Sequence, residues 1–312
     1  MIIQDIFPRD SKQLQTALNL EVATARIEVQ CLLQAVLRVN RAYLLTYPER
    51  ILTADEQRRY AVLFARRLNG EPIAYLLGER EFFGLNCKVT PATLIPRPDT
   101  ELLVELALQR IPRPLLYPLG CAGAGGRQAG RGFRVLDMGT GSGAIALAIA
   151  HERTDVEVVA VDASEAALEV ARDNVRCLNL ANVRLLHSDW FSALTDERFD
   201  LIVSNPPYIA ADDVHLSQGD VRFEPMRALA SGKDGLDDIR RIVARAQDYL
   251  NAGGWLMFEH GYDQAERVRQ LMQQAGFAGV SSVRDLSGIE RVTMGRAVFS
   301  NSGMSLKRTQ NG

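Results

Sequence analysis

The sequence predicts an α/β fold: a mostly parallel sheet with helices on both faces and an antiparallel edge strand, joined to a small N-terminal helical bundle. Three observations carry this reading. Residues 1 to about 75 hold apolar side chains at spacings of three and four, with no glycine before Gly70. From RVLDM (134–138) onward the pattern changes to short apolar runs, VEVVAVD, VRLLHSDW, FDLIVSN and GGWLMFEHG, separated by helical patterns, as a parallel sheet requires. At the end, VSSVRDL and RVTMGRAVFS are two strand patterns with no helix between them, so they are expected to pair antiparallel at one edge.

Taken in order, LQTALNLEVA and RIEVQCLLQAVLRV place Leu14, Ala17 and Leu18, then Ile27, Cys31, Leu32, Ala35, Val36 and Val39, on helical faces. Thr53-x-x-Glu56 is a capping box ahead of Tyr60, Leu63, Phe64 and Leu68, and Asn69-Gly70 closes that helix. This bundle, residues 1–78, carries no cluster of catalytic residue types, so binding or positioning a substrate is its expected role. REFFGLNCKV reads as a hairpin turning at Gly84, within a linker of residues 79–95. The second unit, 96–299, opens on TLIPRPDTELLVELALQR, where Pro96 and Pro98 mark a turn and Asp99 or Thr100 is expected to cap the next helix. Residues 112–132, rich in Pro, Gly and Ala, read as a mobile loop, and 300–312 as a disordered tail.

At 312 residues the chain is long enough for about two domains and a sizeable core. Its 47% hydrophobic and 24% charged residues exclude wholesale disorder, and no stretch approaches the ~20 apolar residues of a spanning helix. The start, MIIQDIFPRDSKQ, lacks a secretory pattern, so a cytoplasmic protein without membrane association is expected. Four cysteines without CxxC spacing and four histidines without HExxH spacing lead us to expect reduced thiols and no metal. A net charge of −2 supplies no basic field for a polyanion, so direct nucleic-acid binding is not expected.

The chemistry begins directly after the first strand of the second unit, in DMGTGSGAIALAIA. Gly139, Gly141 and Gly143 allow a tight turn and let a ligand approach the start of the following helix. Asp162 ends the next strand, where an acidic side chain takes the two hydroxyls of a ribose; its alternative use is to cap the helix SEAALEVA. A dinucleotide would set its pyrophosphate on the helix N-terminus, and Asp137 there would repel it. The same carboxylate suits a ligand bearing an ammonium and a sulfonium, which points to S-adenosylmethionine. Asp189-Trp190 supplies a polar group and an indole where an adenine would lie.

The fourth strand ends in Asn205-Pro206-Pro207-Tyr208. Two prolines cannot extend a sheet, so they stop the strand at the crevice where such folds bind ligands. A planar nitrogen is a poor nucleophile because its lone pair is delocalised. The Asn205 side-chain oxygen and the Pro206 carbonyl are two acceptors able to fix its N–H bonds in line with a methyl donor, with Tyr208 covering the planar group.

GEPIAYLLGEREFFGL, VTPATLIPRPDTELLVE, VLDMGTGSGAIALAIA, SDWFSAL, IVSNPPYI, GDVRFEP and ERVTMGR together resemble the protein-(glutamine-N5) methyltransferases. Most closely they resemble the peptide-chain release factor glutamine methyltransferase (PrmC or HemK) family. NPPY alone is shared with enzymes that methylate amino groups of DNA and RNA. IPRPDTE matches the release-factor enzymes better than their relatives acting on a large-subunit ribosomal protein. The departures are the Gly-rich stretch 112–132 and the tail after Ser300.

The resemblance implies a Rossmann-like S-adenosylmethionine-dependent methyltransferase domain, releasing S-adenosylhomocysteine. It implies cofactor contacts at Gly139, Thr140, Gly141, Ser142, Gly143, Asp162, Trp190 and Asn205, and a substrate glutamine held by Asn205, Pro206, Pro207 and Tyr208, with Asn205, Pro206 and Tyr208 catalytic. The implied partner is a class-1 peptide-chain release factor, whose Gly-Gly-Gln loop enters the pocket of a monomeric enzyme. A ribosomal-protein glutamine and a nucleic-acid amino group are the alternative substrates. Further candidates are Arg97, Asp99 and Glu101 at the site's edge or in a cap, Phe82 and Phe83 in a pocket wall or the core, and Arg222, Phe223 and Glu224 against substrate or closing a loop. Asp285, Gly288 and Arg291 are assigned to the terminal strand pair.

Overall fold

A computed structural model describes residues 1–113 and 132–298. All but the ends of the Gly-rich stretch 112–132, and the whole 300–312 tail, lie outside the described residues. Five helices come first: α1 (Ile3–Leu18), α2 (Val22–Leu37), α3 (Arg41–Thr46), α4 (Ala54–Leu68) and α5 (Ile73–Leu77). Leu14, Val29, Leu32, Leu33 and Leu44 meet in their common core, each buried leucine or valine stabilising the bundle by roughly 1.5–3 kcal/mol. The capping box at α4 forms as its spacing predicts: the Glu56 N–H donates to Thr53 Oγ1 at 3.3 Å, and Glu56 Oε2 accepts from the Thr53 N–H at 2.9 Å.

The hairpin follows as β1 (Glu79–Phe82) and β2 (Leu85–Lys88). It is docked on the second unit. Phe82 and Cys87 are buried in that unit's core, and Asn174 exchanges hydrogen bonds with the Lys88 backbone at 2.7 and 3.0 Å. After a 3-10 turn at Pro98–Thr100 come α6 (Glu101–Arg110), β3 (Arg134–Met138), α7 (Ala144–Glu152), β4 (Glu157–Asp162), α8 (Glu165–Cys177), β5 (Val183–His187) and β6 (Phe199–Ser204). The chain ends with α9 (Asp237–Tyr249), β7 (Leu250–Glu259), α10 (Ala265–Gln274), β8 (Ala278–Arg284) and β9 (Glu290–Arg296).

The seven-stranded sheet has the order β5-β4-β3-β6-β7-β9-β8. Strands β5, β4, β3, β6 and β7 run parallel, and β9 pairs antiparallel with both β7 and β8, as the two terminal strand patterns predict. Both faces are covered, so consecutive residues of β3 are buried on opposite sides: Val135 in the core that includes α7, Leu136 in the core that includes α9. From β3 the chain crosses first outward to β4 and later to β6 on the other side. That reversal opens a crevice at the carboxyl ends of β3, β4 and β6, where the Gly-rich loop, Asp162 and NPPY all sit.

One buried ion pair ties the bundle to the rest. Arg67, 2% exposed, donates to both Glu28 oxygens at 2.7 and 2.9 Å, to the Gly70 and Glu71 carbonyls, and to Asp220 Oδ1 at 3.0 Å. Asp220 lies on the segment after NPPY, so the bundle is hydrogen-bonded directly to the chain that borders the crevice.

Candidate active site

The loop after β3 is framed by its own backbone. The Gly139 and Thr140 N–H groups both donate to the Val161 carbonyl at 2.9 Å, drawing the loop across the end of β4. Gly143 has φ +89, and a Cβ there would lie 3.1 Å from Leu147 Cδ1, so only glycine lets α7 start this close to the loop. Thr140 donates its hydroxyl to Asp137 Oδ2 at 2.6 Å, and the Ser142 carbonyl accepts from Asn174. Thr140, Ser142 and Gly143 thus shape the loop, while Gly139 and Gly141 line the cleft beside it.

That cleft has a volume of about 330 Å³ and brings together Gly139, Gly141, Asp162, Trp190, Asn205 and Pro207. Asp162 Oδ2 accepts from the Gly141 N–H and Oδ1 from the Ser164 N–H, both at 2.8 Å. The N-cap of α8 is Ser164, whose hydroxyl accepts from the Ala167 N–H, so Asp162 is not spent on the cap. Burial raises the Asp162 carboxyl, against the pull of those two N–H groups. Strand β5 ends at His187, short of Trp190, which takes φ +50 in the following turn and donates Nε1–H to Asp238 Oδ1 at 3.2 Å.

At the end of β6, Asn205 Nδ2 donates to Thr100 Oγ1 at 3.1 Å. That choice leaves the amide oxygen as an acceptor with no donor on it among the described residues. The Pro206 carbonyl likewise accepts no hydrogen bond among them. Tyr208 does not line the cleft; its phenol donates to Glu259 Oε1 at 3.3 Å.

The sequence has relatives of known family. A release factor glutamine methyltransferase of Salmonella typhimurium is 48% identical over 271 residues, 87% of this chain and 92% of its own length. Its counterpart from Pseudomonas aeruginosa is 50% identical over 273 residues, 88% of this chain and 93% of that one. The chain belongs to the release factor glutamine methyltransferase family. Family models agree in parts: residues 11–78 match the PrmC N-terminal domain and 127–223 the methyltransferase small domain. Among solved structures, the hMettl16 catalytic domain in complex with a 3′UTR hairpin shares the fold, with a TM-score of 0.53 at 16% identity, covering 77% of this chain and 83% of that one.

In this methyltransferase the motif IPRPDTE runs from the cleft-lining Thr93 and Leu94 into α6, each polar side chain with its own task. Arg97 pairs with the buried Glu224, which also accepts from the Ile95 N–H at 3.0 Å, so Glu224 closes its loop and Phe223 packs against Tyr75, Val89 and Ile95. Glu101 Oε1 accepts from the Phe83 N–H at 3.0 Å, and Asp99 lies 3.6 Å from Arg291. Neither Asp99 nor Thr100 caps α6 by its side chain, because the Thr100 hydroxyl is taken by Asn205. Phe82 is core, and Asp285 and Arg291 pair at 3.1 Å around the turn between β8 and β9. Among the described residues, no group of three or more His, Cys, Asp or Glu side chains is disposed to hold a metal ion.

Gly235 and Gln264 were not legible as site residues. Gln264 Nε2 donates to the Tyr208 carbonyl at 2.8 Å, and Gly235, at φ +72, is packed so closely that a Cβ would sit 2.1 Å from that same oxygen. Gly235→Ala is therefore expected to push the NPPY backbone aside. It should cost roughly 1–3 kcal/mol of stability and lower turnover more than cofactor affinity, read by thermal melting, methyl transfer and calorimetry.

Proposed function

We propose that this protein transfers the methyl group of S-adenosylmethionine to the side-chain amide nitrogen of the glutamine in the Gly-Gly-Gln motif of class-1 peptide-chain release factors. The observation that carries the reading is the orientation of Asn205, which lines the cleft: with Nδ2 committed to Thr100, its oxygen is left as an acceptor, and the carbonyl of Pro206, next in the chain, accepts no hydrogen bond among the described residues. Two acceptors so placed fix both N–H bonds of a primary amide, and the fixed plane directs the nitrogen lone pair out of it.

The residues present fit the cofactor. Asp137 is fully buried beneath the glycine loop with Oδ1 unpartnered among the described residues, an environment that favours a cation above it. Asp162 would accept from ribose hydroxyls, Trp190 would cover the adenine, and Gly139 to Gly143, with Thr140 and Ser142 between the glycines, would give backbone room for the methionyl portion. When bound, S-adenosylmethionine supplies an electrophilic methyl on sulfonium sulfur. Asn205 and the Pro206 carbonyl orient the amide, Pro207 stiffens the exit from β6, and Tyr208, held by Glu259 and Gln264 outside the cleft lining, would cover the amide as the substrate enters.

Residues 1–78 serve in this reading as the release-factor-binding bundle, 79–95 as the connecting hairpin segment and 96–299 as the methyltransferase domain of a cytoplasmic monomer. No helix among the described residues is long and apolar enough to cross a membrane. The test is incubation of the purified chain with methyl-labelled cofactor and an intact release factor. Label on the wild-type factor, and none on a factor whose motif glutamine is replaced by alanine, is expected; equal labelling of both would overturn the proposal.

A further inference from the structure

The buried carboxyl of Glu259 holds Tyr208 with one oxygen, and its second oxygen has no assigned task. It ends β7, is 2% exposed, and keeps Oε2 without a hydrogen-bond partner among the described residues. A stranded acceptor of this kind is costly, and its neighbours are the amide-binding residues themselves. Tyr208 donates its phenol to Oε1 at 3.3 Å, and the Thr100 hydroxyl lies near enough to favour the ionised carboxyl. Thr100, 4% exposed, is in turn the acceptor for Asn205 Nδ2 at 3.1 Å.

We propose that Glu259 is a positioning residue that sets which way the Asn205 amide points, acting through Thr100. This rests on the reading of Asn205 as the acceptor for the substrate amide. An ionised carboxylate only accepts, so the open Glu259 Oε2 can only accept a hydrogen bond from the neighbouring Thr100 hydroxyl, never give one, and the Thr100 lone pair is left for an N–H. Asn205 then turns its NH₂ to Thr100 and its oxygen to the cleft. With Glu259 protonated or replaced by an amide, the carboxyl or amide donates to Thr100, and the Thr100 proton is free to turn to Asn205. The asparagine flips, and its NH₂ now opposes the N–H bonds it has to receive.

The groups around Glu259 make this polarity sensitive to pH. Burial pushes its carboxyl up to about 7, Thr100 and Tyr208 oppose that, Asp99 on the Pro98–Thr100 turn adds to it, and Arg291 on β9 opposes it. Arg291 is already shared with Asp285 at 3.1 Å and Asp99 at 3.6 Å, so its hold is partial. His260, next in the chain, is held below its usual range by burial and bonds to Thr293 and the Gly261 carbonyl. Ionised Glu259 is the working form, so turnover rises as pH rises through about 7.

The experiment measures kcat and KM for an intact release factor from pH 6 to 9 in wild type, Glu259→Gln, Thr100→Val and Thr100→Ser, with S-adenosylhomocysteine affinity by calorimetry. Expected are a wild-type kcat that climbs through about pH 7, and losses of about 10²-fold in kcat for Glu259→Gln and Thr100→Val with the inflection gone. KM and S-adenosylhomocysteine affinity should hold within about threefold, and Thr100→Ser should keep most of the wild-type rate and the inflection. A Glu259→Gln enzyme with wild-type kcat, or one that loses kcat but keeps the inflection, overturns the proposal. Should that variant not fold, Thr100→Val decides by the same two criteria. A wild type that methylates no amide would instead overturn the functional reading, and this one with it.

Discussion

Asn205→Ala is expected to lower kcat for release-factor methylation by about 10²- to 10³-fold, the scale of removing one preorganised hydrogen-bonding group from a reacting centre. The substitution deletes an amide oxygen that accepts no hydrogen bond among the described residues, and among them it breaks one side-chain hydrogen bond, to Thr100. Stability should therefore change by no more than about 1 kcal/mol. Asn205→Asp separates the two functions of the side chain: it keeps an acceptor but cannot donate to Thr100, so its rate should fall between wild type and alanine. Single-turnover methyl transfer with a thermal melt on each variant checks the ordering. A wild-type rate in the alanine variant would remove Asn205 from the reaction.

Asp137→Asn is expected to stabilise the ligand-free protein while weakening the cofactor. Burial drives the Asp137 carboxyl up to about 7, with the Thr140 hydroxyl opposing. An unfolded chain releases that proton near pH 4, so between about 4 and 7 the native state holds one proton more and stability falls as pH rises through that window. Above pH 7 the native chain carries a buried charge that the Thr140 hydroxyl and the Ala146 N–H only partly offset. An asparagine carries none, and should raise stability at pH 8 by roughly 2 kcal/mol, give no gain below about pH 4, and flatten the curve between. The same change removes the negative charge beneath the loop, so affinity for a cationic sulfonium ligand should drop by about tenfold or more. Denaturant titrations at pH 4, 6 and 8, with calorimetry of S-adenosylmethionine binding, measure both effects.

Much of this was legible in the sequence because the informative chemistry is local. The glycine loop announces itself by backbone freedom at Gly139 to Gly143, and NPPY by the abrupt loss of N–H donors after a strand buried on both faces. Strand β3 reads as a run of RVLDM because both of its faces are covered. What the sequence concealed is long-range. Thr100 and Asn205 lie 105 positions apart, so nothing near Thr100 indicated that its hydroxyl would serve an amide instead of the cap its position suggested. Glu259 followed a run of apolar residues and looked like the polar end of a strand. Gln264 and Gly235 reach the site through the Tyr208 carbonyl, 56 positions from Gln264. The hairpin's alternation, Leu85 and Cys87 inward, spans four residues, too few to show that it docks against the sheet domain.

In the proposed reaction Asn205 and the Pro206 carbonyl hold the amide of a glutamine in a release factor. Fragment-ion mass spectrometry of the Gly-Gly-Gln peptide, taken from release factors of cells with this protein, without it, and with only its Asn205→Ala form, tests that most directly. A single methyl group on the glutamine side-chain nitrogen in the first sample, and an unmodified glutamine in the other two, is the predicted result. Methylation that persists without the protein, or that falls on another residue or atom, would contradict it.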